Sequence, residues 1–217
     1  MLRNKYTFLG AAGVLLAGTF GFANSATAAA PAYNTSAASV TCNSLVAVTA
    51  TLKPPLTTAS TGTGAIALKG TLLGCTSTGA TLNNVASEPT IVSGSVSGTV
   101  TTAGAGGCAG LATPSTLTGN LKASWKVASG QKLDFSSTTL TGGTISAGPY
   151  VGPGGVLYGQ FSLTGQTFGP KSAFIGGTPI TTAVTSEDIT TLLGLCGAAP
   201  PGPGVKTIHL GVGNLVG

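Results

Sequence analysis

Few residues in this chain could do chemistry, and their spacing limits what that chemistry could be. Four cysteines stand at positions 42, 75, 108 and 196, a single histidine at 209, and four carboxylates at Glu88, Asp134, Glu187 and Asp188. A Ser-His-acid relay would have to bring His209 beside Asp134, Glu187 or Asp188 and beside a serine held on a sharp turn. The stretch Gly94-Ser95-Val96-Ser97-Gly98 has the wrong offsets for a nucleophile elbow and sits inside strand-like sequence. By alternation His209 falls on the polar face of its segment, which reads as a solvated surface histidine. Glycoside hydrolysis needs two carboxylates on either side of a scissile bond, and Glu187 and Asp188 are instead adjacent at a predicted helix start. The glycine runs 104–107 and 152–155 lack a following Lys-Ser/Thr and helix, so they form no phosphate cradle. The expectation is a protein without catalytic residues, and an enzyme such as a hydrolase is the less favoured reading.

The cysteines read better as staples than as ligands. They lack any Cys-x-x-Cys spacing and have one histidine for company, so neither a metal nor another cofactor is expected. An even count in an exported chain reads as two disulfides. Of the three possible pairings we favour Cys42–Cys75 and Cys108–Cys196; the second would tie the end of the chain to its middle.

Export itself is read from the first residues. Arg3 and Lys5 form a positive start, an uncharged stretch follows from Phe8 to Ala23, and Ala26-Thr27-Ala28 supplies the small-x-small pattern of a signal-peptidase site. Residues 1–28 are therefore expected to be a signal peptide and 29–217 a single secreted β domain. The apolar stretch is interrupted by Gly18, Thr19 and Gly21, and no later segment reaches the roughly 20 apolar residues of a membrane-spanning helix.

Composition sets the fold class. Only 13 of 217 residues are charged, while glycine and threonine contribute 35 each. Helical bundles are built from Ala, Leu, Glu and Lys, so this mixture favours short strands and tight turns. After position 28 there is no arginine, and the seven lysines are scattered, which argues against a nucleic-acid partner.

Strand signals run along most of the chain. Leu45–Leu52 ends, on this reading, at Pro54-Pro55; Ala65–Leu73 and Thr90–Val100 follow. The clearest element is Leu121–Val127, apolar at odd positions and polar at even ones, which turns Trp125 into the core. Gln131–Ser136 alternates again, with Leu133 and Phe135 inward, and reads as its hairpin partner. Val156–Thr164, Ala173–Ile175 and Val205–Val212 complete the set, and Thr185–Gly194 is the one helix candidate, capped by Thr185 or Ser186. The predicted fold is all-β: an antiparallel sandwich or closed barrel of about eight to ten strands, with a short helix near residues 186–195.

Several of these features in order resemble a family of secreted β-rich proteins of actinomycetes whose activity is uncharacterised. The resemblance rests on Cys42, Gly70-Thr71-Leu72-Leu73-Gly74-Cys75-Thr76, Gly119-Asn120-Leu121 with Trp125-Lys126, and Cys196. It implies export and a β fold, and carries no functional residue across. The functional expectation is an exported, non-catalytic protein, extracellular or associated with a cell-wall or envelope component. The alternative is a secreted binding module for a glycan or apolar ligand, with Tyr150, Tyr158 and Phe161 as its surface.

Overall fold

Alternation of an aliphatic side chain with Ser or Thr gives several of the long strands one face for a core and one for water. The computed structural model describes residues 29–57, 64–102, 114–197 and 204–216. The predicted signal segment 1–28 and Cys108 lie outside the described residues. In chain order the strands are β1 (Ser39–Leu56), β2 (Gly64–Thr78), β3 (Thr81–Leu82), β4 (Val85–Ala86), β5 (Ile91–Thr102), β6 (Ser115–Val127), β7 (Ser137–Thr141), β8 (Thr144–Val151), β9 (Leu157–Thr164), β10 (Thr167–Phe168), β11 (Ile180–Asp188) and β12 (Val205–Val216). A helix, α1 (Ile189–Gly197), lies between β11 and β12.

Eight of these strands close a ring in the order β1-β2-β5-β6-β8-β9-β11-β12, each antiparallel to its neighbours, with β12 returning to β1. Of the two predicted architectures the chain adopts the closed barrel. Its stagger is large. A walk around the ladders from Cys42 passes Leu215, Thr181, Leu163, Ile145 and Ser115, then crosses β5 and β2 near Thr102 and Gly64 to regain β1 close to Pro54. Such stagger tilts the strands and sets how wide an eight-stranded barrel can be.

The corner that permits closure is Gly142-Gly143. β7 pairs with the middle of β6, and two residues later β8 takes over at the start of β6 and turns to β9. Both glycines have positive φ, 67° and 105°, and a Cβ on Gly143 would lie 2.7 Å from the Thr164 carbonyl oxygen and the Gln166 side chain. No other residue fits there at low cost.

One end of the barrel is floored. The N-terminal segment crosses it, with Tyr33 N–H donating to the Lys132 carbonyl and Asn34 exchanging backbone bonds with Thr81. The Thr35 hydroxyl donates to Asp134 at 2.6 Å. Trp125 meets Phe174 edge-on, with ring centroids 5.5 Å apart. Its indole N–H donates to the Thr138 hydroxyl at 2.9 Å, which in turn donates to the Ala173 carbonyl. Gly94 lies directly against the Trp125 ring, where a Cβ would be 3.0 Å from it, so the strand glycine marks a close approach.

Several expectations change. The partner of the 121–127 strand is Ser137–Thr141, and residues 131–136 form part of the floor: Leu133 is buried and bridges to Tyr33, while Phe135 is exposed. β1 continues through Pro54-Pro55 to Leu56, because the prolines fall where its ladder to β12 is irregular and donor N–H groups are not needed. Ala173–Ile175 is irregular, with Phe174 fully buried at positive φ. The predicted helix begins later, at Ile189, since residues 180–188 extend as β11. Cys42–Cys75 is formed, joining register partners of β1 and β2 that are 33 residues apart in sequence. Cys196 is also disulfide-bonded.

The Thr138 relay gives a test of the floor. Thr138→Val should leave the Trp125 N–H and the Ala173 carbonyl without their buried partner and cost about 1–3 kcal/mol in a urea unfolding measurement.

Candidate functional site

The wall of the barrel sorts its side chains by alternation. Outward positions carry Thr99 and Thr101 on β5, Thr116, Thr118, Asn120 and Lys122 on β6, and Thr164 and Thr207 on β9 and β12, all exposed. Inward positions carry Val48 and Leu52 on β1, Val96 and Val100 on β5, Leu121 on β6, Leu163 on β9, and Ile208 and Leu210 on β12. A membrane barrel would present an apolar band outward, so this wall is built for water outside and hydrocarbon inside.

The inward side chains do not fill the space. An internal cavity of about 100 Å³ runs along the barrel. Its cause is the use of alanine at inward positions of four separate strands: Ala50, Ala123, Ala147 and Ala183 all line it. A larger aliphatic residue at any of them would close part of the void. Interiors normally pack to crystal-like density, so a void of this size inside an otherwise well-packed wall is a feature to be explained.

The cavity carries no charge. No Asp, Glu, Lys, Arg or His is among its lining residues, and its hydroxyls are Thr102, Ser115 and Thr181. Thr102 is occupied, donating to the Gly64 carbonyl. The Thr181 oxygen is shielded from solvent and has no hydrogen-bond partner among the described residues. The lining reaches the strand ends at Leu56, Gly64, Thr102 and Ser115, at the end of the barrel opposite the Trp125 floor. The cavity therefore runs from the floor to the rim at the other, mouth end, where the connections 58–63, 103–113 and 198–203 lie outside the described residues.

The predicted ligand residues divide between two places. Phe161 lies inward, opposite Ala147 on the β8–β9 ladder, and lines the cavity. Tyr150 and Tyr158 face each other on the same ladder near its tip, Tyr150 exposed and Tyr158 half-buried. The three do not form one surface, because positions 158 and 161 have opposite parity on β9. Inward-facing alanines were the missed signal, and they become readable only once the register is known.

At the mouth end, two of the four carboxylates take structural partners. Glu187 meets His209 across the β11–β12 corner, with Oε1 2.5 Å from Nδ1, on the exposed outer wall. No hydroxyl among the described residues bonds that imidazole, so the acid–histidine pair has no nucleophile attached. Asp188 caps α1, accepting the Thr191 N–H at 2.7 Å and the Thr190 and Thr191 hydroxyls. The cap is thus Asp188, not Thr185 or Ser186; the Thr185 hydroxyl serves the strand, accepting from Gly159 N–H and donating to the Glu187 carbonyl. Among the described residues no group of three His, Cys, Asp or Glu side chains could hold a metal ion.

Comparison of the chain with family models, with curated proteins and with solved structures finds no match. What the site can do must be argued from its geometry.

The Asp188 cap predicts a pH dependence. Hydrogen bonds from the Thr190 hydroxyl, then from Thr191, lower its pKa from 3.8 to about 2. A folded-state pKa below the unfolded one stabilises the fold above pH 3.8, and that contribution is lost as pH falls through about 2. Urea midpoints of the wild type should fall toward those of Asp188→Asn over this window, and amide exchange should show α1 opening first.

Proposed function

We propose that this chain is an exported, non-catalytic barrel that holds a small, neutral, apolar molecule in its interior. The observation that carries the reading is the uncharged cavity, bounded by hydrocarbon side chains from every strand of a closed wall. Water gains little from a void with so few polar partners, whereas a hydrocarbon gains the full transfer from water. A ring or branched chain of about six carbons would gain roughly 5 kcal/mol at about 0.8 kcal/mol per buried CH₂, a dissociation constant of about 0.1–1 mM.

Export is supported by the leader-like composition of residues 1–28 and by the Cys42–Cys75 bond, which belongs to an oxidising compartment. An envelope-associated role remains compatible with the hydroxyl-rich outer wall. A glycan-binding role has less support, since it needs several exposed aromatic faces on one surface and only Tyr150 among the three candidates is exposed.

Titration with toluene, followed by methyl NMR, tests the reading. Shifts are expected at the Leu and Ile methyls of the barrel interior. Ala147→Leu should weaken binding about tenfold or more while leaving the melting temperature unchanged or slightly raised, because the added carbons fill existing space. Shifts confined to the outer surface and indifferent to Ala147→Leu would contradict it.

A further inference from the structure

A second feature lies at the mouth end. β8 meets β6 only at Thr144 and Ile145, yet its ladder with β9 continues to Val151 and Leu157, so the hairpin runs on past the rim. The hairpin turns through Pro153–Gly155, and Tyr150, Val151, Val156 and Leu157 at its tip are all exposed, Val151 at 65%. α1 starts beside this hairpin, since Asp188 pairs with Tyr158, and it packs against β9. Leu192 and Cys196 are its buried residues, while Leu193 and Leu195 are exposed. Six of the eleven large exposed apolar side chains of the described chain are gathered here.

The hairpin itself carries no charge. No Asp, Glu, Lys, Arg or His occurs between Phe135 and Pro170. The carboxylates of Glu187 and Asp188 are held by His209 and by the α1 cap. Monomeric proteins rarely leave such a patch uncovered without a use for it.

We propose that this apolar tip inserts into the surface of a lipid bilayer, with the barrel mouth facing the membrane. A projecting hairpin matches a deformable bilayer better than the flat or concave face of a protein partner, and the Tyr150–Tyr158 pair next to Val151 and Leu157 suits the interface between headgroups and acyl chains. Position also favours a bilayer. The proposal rests in part on the cavity reading: a neutral apolar ligand is scarce in water and abundant in membranes, and the tip stands at the end where the cavity reaches the strand ends. With no basic cluster at the tip, insertion is driven by apolar burial and does not depend on anionic lipid or on ionic strength.

Flotation of the purified protein with phosphatidylcholine vesicles, and with vesicles containing phosphatidylglycerol, tests this. The wild type should float equally with both, at low and high salt. Val151→Asp combined with Leu157→Asp should reduce flotation about tenfold or more. Val85→Asp combined with Val92→Asp, which alters exposed apolar residues at the floor end, should leave it unchanged. A wild type that stays unbound with both vesicle types, or a floor-end variant that loses as much as the tip variant, would overturn the proposal. So would a stable dimer in vesicle-free sedimentation that the tip variant abolishes, since the patch would then be covered by a second copy. Toluene binding measured on the same samples keeps the two readings apart: it should survive in the tip variant, and its absence from a wild type that floats would count against the cavity alone.

Discussion

The ladder between β1 and β12 is the interaction on which the rest of the structure depends. Consecutive wall strands form a meander, and a meander left open would expose two long edges of unpaired N–H and C=O groups. The chain removes both by bringing its last strand back to its first, pairing Thr51 with Thr207 at one level and Cys42 with Leu215 at another. Closure then fixes the rest. The stagger around the ring determines the tilt, the tilt determines the width, and the width leaves room that the inward alanines do not occupy. The Gly142-Gly143 corner and the Cys42–Cys75 bond support the ring, one by letting β7 hand its place to β8 and the other by clamping two neighbouring strands.

The wall answers the question of how so weakly charged a chain faces water. Thirteen charged residues in 217 cannot cover the surface, and hydroxyls take their place along the outer face of the strands. Threonine suits this position twice over, since its branched Cβ favours the extended backbone and its hydroxyl is hydrated. Inside, the same β-branched and aliphatic preference produces an apolar lining. A hydroxyl-rich outer face and an apolar interior are separated by the two-residue period of the strand. The apolar tip of the β8–β9 hairpin stands out because it breaks that separation.

Much of this was legible in the sequence where a strand has one wet face. Leu121–Val127 declares its inward side, and Trp125 is buried as its parity requires. The misreadings have physical causes. Leu133 and Phe135 alternate like strand residues, but the backbone around them is used by Tyr33 in the floor, a long-range pairing with no local sign. β8 is absent from the predicted strands because Gly148 and Pro149 interrupt its pattern, and the Thr-Ser-Glu-Asp run at the end of β11 resembled a helix start four residues before the true one. The segments that suggested a family resemblance turn out to do structural work: Gly70 lies against Val48, Cys75 is clamped to Cys42, and Trp125 is in the floor. The cavity had no local signature. Each lining residue looks like ordinary core, and only the ring register shows that Ala50, Ala123, Ala147 and Ala183 share one space.

The central claim is that the barrel interior is a ligand site and not a packing defect. A crystal soaked with bromobenzene and measured at the bromine edge tests it most directly. The account predicts an anomalous peak inside the ring, between Phe161, Val100 and Ile208, with the wall unmoved. A peak found only on the outer surface, or an interior closed by shifted side chains with no peak at all, would contradict it.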